Sequence, residues 1–182
     1  MKNNIGVLMG IRVLILDNNL AKKLFSEGFY GKPFGLHKPK PDEARAPLEL
    51  SLIEALYLME KGVIKVVDGD REINVNELRD YASKVIPRFN LLYTVYKDLR
   101  ERGFVVRSGM KFGCDYAVYE FGPGIDHAPY LVHVLSSNDE ITPLEIVRAG
   151  RLSHSVRKRF ILAVVDESTG QVKYVMFKWR KP

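Results

Sequence analysis

A single cysteine, Cys114, stands among 182 residues. One thiol can neither close an internal disulfide nor build a cysteine zinc site, so the sequence fits a reducing, cytoplasmic compartment. No apolar run approaches the roughly 18 residues that a membrane-spanning helix requires, and Met1 to Leu16 lacks the layout of a secretory signal. Internal repeats and low-complexity stretches are absent. So are a Gly-rich phosphate loop, a serine-centred nucleophile motif and any His, Asp and Glu set with metal-ligand spacing. A metal nuclease needs clustered carboxylates. The pair near the Gly/Pro loop, Asp115 and Glu120, is spaced for opposite faces of a strand. No metal or cofactor is expected.

What is present is a near-average globular composition, 46% hydrophobic and 27% charged, with an uneven charge distribution. Of 28 Lys+Arg and 22 Asp+Glu, residues 151–182 hold 8 and 2, which leaves residues 1–150 balanced at 20 each. The net charge of +6 therefore belongs to the last 32 residues. A cationic end of this kind marks a polyanion binder, with nucleic acid the first candidate. A solvated basic tail is the plainer reading, but these cations interrupt strand-like sequence such as "VKYVMFKW" at 172–179. The stretch "GRLSHSVRKRFILAVVD" poses the question sharply. Arg157, Lys158 and Arg159 crowd the mouth of an apolar run, Phe160 to Val165, that reads as a strand buried on both faces.

The fold class predicted is mixed α/β, with a small structural domain at 1–86 and a second module at 87–182. Strands are expected at Ile5 to Met9 and Ile11 to Leu16, then a helix capped by Asn18 or Asn19 and ended by Gly28. "FYGKPFG" and "HKPKPDEARAP" read as irregular. Pro47 suits a first helical position, with Leu48, Leu52, Ala55, Leu56 and Met59 on one face as far as Gly62. A hairpin turns at Asp68-Gly69. Asn74 and Glu77 form a capping box for a helix towards Ile86, and Phe89, Leu92, Val95, Tyr96 and Leu99 line another that Gly103 ends. Strands follow at Phe104 to Arg107, Lys111 to Tyr119 and Tyr130 to Leu135. A helix opened by Thr142 and Glu145 runs to about Ala149, and two last strands flank "DESTG".

Four histidines are candidates for chemistry. His37 sits in a Pro/Lys loop, His133 alternates within a strand and His154 lies between serines. His127 falls in "FGPGIDHAPY", a loop of the kind that displays functional side chains. On composition alone each reads as structural or solvated before it reads as catalytic. With metals, thiols and serine nucleophiles set aside, a histidine, a tyrosine and a lysine remain.

"SGMKFGCDYAVYEFGPGIDHAPYLVHV", "RAGRLSHSVRKRFILAVVD" and "YVMFKW" closely resemble the catalytic subunit of the archaeal tRNA-splicing (tRNA-intron) endonucleases. "FYGKP" and "PLELSLIEALYL" resemble that family's amino-terminal domain, so the likeness covers nearly the whole chain. The resemblance implies that the second module is a restriction-endonuclease-like mixed sheet flanked by helices. It implies a catalytic tyrosine at Tyr119, a histidine at His127 and a lysine at Lys158, with the tyrosine as base and the histidine as acid. It also implies substrates with bulge–helix–bulge junctions whose bulge bases are held between arginines. Arg151 matches one such position. Lys173 stands at the second, where lysine cannot stack as a guanidinium plane does. Arg157 and Arg159 contact backbone phosphates or flank the lysine in solvent.

The chemistry is coherent in its own terms. RNA carries a nucleophile, the 2′-hydroxyl beside each phosphodiester. Its attack needs a base, an acid for the departing 5′-oxygen and a cation for the phosphorane. His127 is of a residue type that titrates near neutrality. A phenol, with an ordinary pKa of about 10, works as a base only beside a cation such as Lys158. Three partner readings follow from the resemblance. The substrate is precursor tRNA. A chain of this length is not expected to be a double-length form, and the forms of "FYGKP" and "HAPY" look most like crenarchaeal catalytic subunits, which pair with a structural subunit as a two-plus-two heterotetramer. The turn with Asp166 and Glu167 is a weak version of the acidic loop through which family subunits dock. A non-catalytic RNA-binding or assembly subunit is the alternative function, and a metal-dependent nuclease a further rival.

Overall fold

The structure, a computed structural model, describes residues 4–36, 39–125, 127–155 and 158–176, without the side chains of 41, 148, 149 and 152–155. His37, Arg157, the His154 side chain and the end of the final strand at 177–179 lie outside the described residues. Contacts divide the chain into two units, 1–89 and 90–182.

In the first unit, β1 (Ile5–Met9), β2 (Arg12–Ile15), β3 (Lys32–Pro33), β4 (Leu48–Ser51), β5 (Lys65–Asp68) and β6 (Arg71–Ile73) form one sheet in the order β3-β4-β2-β1-β5-β6. It is mixed, because β1 pairs antiparallel with β2 and parallel with β5. Helices α1 (Asn18–Gly28), α2 (Leu52–Glu60) and α3 (Val75–Val85) complete the unit. Asn74 caps α3 through the expected box with Glu77.

Several sequence expectations shift here for local reasons. The cap of α1 is Asp17, whose carboxylate accepts from the Leu20 amide at 2.7 Å. Asn18 instead accepts from Ala46 N–H. The helix predicted from Pro47 starts at Leu52, because "LELS" also alternates with period two and pairs with β2, burying Leu48 and Leu50 completely. Ser51 then caps α2 in a box with Glu54. "KP" within the stretch read as irregular adds a short strand against β4. Asp68 pairs with Arg71, so the hairpin loop is Gly69-Asp70, with Gly69 at φ +60° as a two-residue turn requires.

In the second unit, α4 (Phe89–Glu101) leads into β7 (Val105–Ser108), β8 (Tyr116–Tyr119), β9 (Tyr130–Ser136), α5 (Pro143–Ser155), β10 (Arg159–Val165) and β11 (Val172–Met176). The strand order is β11-β10-β9-β8-β7, mixed because β9 and β10 run parallel while the remaining neighbours are antiparallel. β10 reads as expected for a core strand: Phe160, Leu162, Ala163 and Val165 are buried. Two expectations change. The strand predicted from Lys111 begins only at Tyr116, because the chain first makes a 3-10 turn at Met110–Phe112 that Gly113 ends at φ +71°. Helix α5 continues past Ala149 to Ser155.

The residues of α4 lie against one face of this sheet. Tyr116 donates its hydroxyl to the Leu92 carbonyl at 2.9 Å and its ring lies 6.1 Å from that of Tyr96. Tyr174 on β11 turns the same way and donates to Asp98, which Arg102 also holds at 2.7 and 3.2 Å. Burial raises the Asp98 carboxyl, but the hydrogen bonds from Arg102 and Tyr174 outweigh it and keep the carboxyl below its usual range. Burial, then Asp98, pushes the Tyr174 phenol well above 10.

A depressed carboxylate stabilises the fold above its unfolded pKa, near 4, and that gain is lost as pH falls through the folded value. A raised phenol stabilises below about pH 10 and loses that gain above it. Tyr174→Phe is therefore expected to lower stability by about 2 kcal/mol at pH 7, the scale of a hydrogen bond to a charged group. It should also flatten both the acid and alkaline limbs of stability against pH. Urea denaturation of both proteins across pH checks this. Parallel curves would show that Asp98 and Tyr174 are not coupled.

Candidate active site

Strand pairing sets the site. On the antiparallel side Ala117 faces Leu131 and Val118 faces Tyr130, so the end of β8 at Tyr119 comes level with Pro129. On the parallel side Arg159 faces Tyr130, which brings Lys158 level with the same Pro129, and Arg159 N–H donates to the Pro129 carbonyl at 2.9 Å. Tyr119 and Lys158 thus flank one residue from either side at one end of the sheet. His127 stands two positions before it, exposed at the mouth of β9.

Packing tightens this arrangement. Tyr119 is half-buried and packs on a cluster of Cys114, Ala117, Ala128, Leu131, Phe160 and Leu162. Ala128, the neighbour of His127, belongs to that cluster, and its carbonyl accepts a hydrogen bond from the half-buried Lys158 ammonium. The same ammonium lies 5.4 Å from the centre of the Phe112 ring, which packs on the cluster too. Lys158 therefore reaches the sheet end with its head group held by a dipole and a ring.

Tyr130 and Arg159, the neighbours of this end, point to the opposite face. Tyr130 donates to Glu120 at 3.2 Å, and the Arg159 guanidinium sits 5.7 Å over the Tyr130 ring with a 3.4 Å hydrogen bond to its hydroxyl. Asp115 accepts from Val134 N–H at 2.7 Å and lies 2.9 Å from Nδ1 of His133. His133 is thus paired within the sheet, away from the strand end. Among the described residues no three His, Cys, Asp or Glu side chains group as metal ligands. Burial, then the charge of Asp115, pushes the Cys114 thiol up to about 11, which leaves it protonated and inert near neutral pH.

The comparisons decide the family. The model for the tRNA intron endonuclease catalytic C-terminal domain matches residues 89–174, and that for the N-terminal domain matches residues 5–79. This chain belongs to the tRNA intron endonuclease family. A tRNA-splicing endonuclease of Hyperthermus butylicus is 54% identical over 97% of this chain and 98% of its own length. Those of Saccharolobus islandicus strain L.S.2.15 and Saccharolobus solfataricus are 51% and 49% identical, each over 96% of this chain and 97% of their own.

Within this tRNA intron endonuclease domain the remaining described basic candidates, Arg151 and Lys173, lie on two other elements. Arg151 is exposed on α5. Lys173 is exposed on β11 opposite Val164, six residues along β10 from Lys158, or about 20 Å at strand rise. One chain does not gather Lys173 with Tyr119, His127 and Lys158. Two contacts of Lys158 escaped the sequence reading, Phe112 and the Ala128 carbonyl. The signal for the first was the pair Gly109 and Gly113 around Phe112, which marks a turn where a strand was read. No helix among the described residues is long and apolar enough to cross a membrane.

Proposed function

We propose that this chain is the catalytic subunit of a tRNA-intron endonuclease and cuts precursor tRNA at bulge–helix–bulge junctions without a metal. In this reading Tyr119 takes the proton from the attacking 2′-hydroxyl, His127 protonates the departing 5′-oxygen, and Lys158 lowers the energy of the phosphorane. The observation that carries it is the convergence of Tyr119 and Lys158 on either side of Pro129, with His127 two residues before. An ammonium beside a phenol makes the phenol a better base, and the sheet end is open enough for His127 to be exposed. The non-catalytic alternative leaves that convergence of three complementary groups without a purpose.

Attack by the 2′-hydroxyl leaves a 2′,3′-cyclic phosphate upstream and a 5′-hydroxyl downstream. The downstream fragment is therefore expected to accept phosphate from a polynucleotide kinase directly. Labelling that occurs only after phosphatase treatment would show a 5′-phosphate and defeat the mechanism.

The assembly is part of the proposal. β11 is the edge strand of its sheet among the described residues, and Val175 and Met176 are 46% and 38% exposed on it. Exposed apolar edges invite pairing with another chain. The turn after β10 is a weak docking loop: the Asp166 carboxylate accepts from Ser168 and Thr169, and Glu167 accepts from the Ser136 hydroxyl. A structural subunit supplies the stronger loop and completes a two-plus-two heterotetramer. This chain purified alone should be poorly active, and the added subunit should restore cutting at the mass of four chains. Full turnover by a stable monomer, with mass from light scattering, would refute the interface; full turnover by a homotetramer would remove the second subunit.

A further inference from the structure

The Phe112 ring lies beside two ammonium groups, Lys158 at 5.4 Å and Lys111 at 4.7 Å. It is not a loose surface ring. The 3-10 turn that carries it is closed by Phe112 N–H donating to the Gly109 carbonyl at 2.8 Å and by Gly113 N–H donating to Met110 at 3.0 Å. Its inner side packs on the cluster that also holds Ala128. Gly109 is required for this turn, because a Cβ there would stand 2.5 Å from Cys114 Sγ and 2.8 Å from the Tyr116 carbonyl carbon. The ring is thus built into place against the strand end rather than draped over it.

We infer that Phe112 is a positioning residue for Lys158: its π face, with the Ala128 carbonyl, aims the ammonium at the scissile phosphate. The physical reason lies in what these two partners lack. A carboxylate would fix a lysine but cancel its charge. A carbonyl dipole and an aromatic quadrupole attract the ammonium without net charge of their own, so these two contacts orient it without offsetting its charge. Preorganised charge of this kind is where electrostatic catalysis is strongest. The inference rests on the catalytic reading of Lys158 given above.

The test replaces Phe112 with 4-fluoro-, 3,5-difluoro- and 3,4,5-trifluorophenylalanine, which keep the shape of the ring and drain its π face stepwise. The holoenzyme, with its structural subunit, is assayed in single turnover on bulge–helix–bulge RNA. The logarithm of the cleavage rate should fall step by step with fluorination, by about 3- to 30-fold across the series, the range a cation–π contact supports. RNA affinity should stay within about twofold and the thermal midpoint should not move, whereas a merely structural ring would show no graded loss. The same series is repeated with Lys111→Met, and the slope should persist.

A flat series overturns the inference, and so does a slope that vanishes with Lys111→Met, since the ring would then act through Lys111. Lys158→Ala separates this from the reading beneath it. If Lys158→Ala abolishes cutting while the series is flat, only the role of Phe112 fails. If Lys158→Ala cuts as the wild type does, the catalytic reading fails and this inference with it.

Discussion

The pairing of β9 with its two neighbours is the constraint on which the site depends. β8 arrives antiparallel and β10 parallel, so the end of one and the start of the other meet at the same edge of the sheet. A slip of one residue in either ladder would turn Tyr119 or Lys158 to the other face, because side chains alternate strictly along a strand. Burial opposes that slip. Ala117, Leu131 and Phe160 lie level on one face and Val118 stands on the other, all of them buried, so a shifted register would move apolar side chains out of the core.

That constraint explains how Tyr119 and Lys158, 39 residues apart in sequence, come level with the same residue of the chain. The backbone does the gathering, through ladder hydrogen bonds and through the Arg159 amide on Pro129. Local contacts then refine it: the Ala128 carbonyl and the Phe112 ring for the ammonium, and the apolar cluster for the ring of Tyr119. On the reverse face, Glu120, Tyr130 and Arg159 span the same three strands with polar contacts.

Much of this was legible in the sequence, and the exceptions share a cause. The helices of α3 and α4 and the core strand β10 were readable because their apolar spacing and caps agree with their final environment. Leu48 to Ser51 misled because "LELS" fits a helical face and a strand equally, and only pairing with Arg12–Ile15 decides. Lys111 to Asp115 misled because aromatic and apolar residues suggested a strand, while Gly109 and Gly113 made a turn. Candidate site residues were found by type and motif, yet their spatial relation was not visible. Nothing in the order Tyr119, His127, Lys158 says that Pro129 lies between the first and the last.

The roles proposed for these groups can be separated at the level of single atoms. Replacing the departing 5′-oxygen at one junction by sulfur gives a leaving group with a pKa near that of a thiol, about 8.5, which needs no proton donor. General acid catalysis is worth roughly 10²- to 10⁴-fold. The single-turnover rate of His127→Ala on the sulfur junction should therefore recover most of what it loses on oxygen, while Lys158→Ala stays slow on both. If His127→Ala is equally slow on sulfur, or if sulfur rescues Lys158→Ala just as well, the division of labour at this sheet end is wrong.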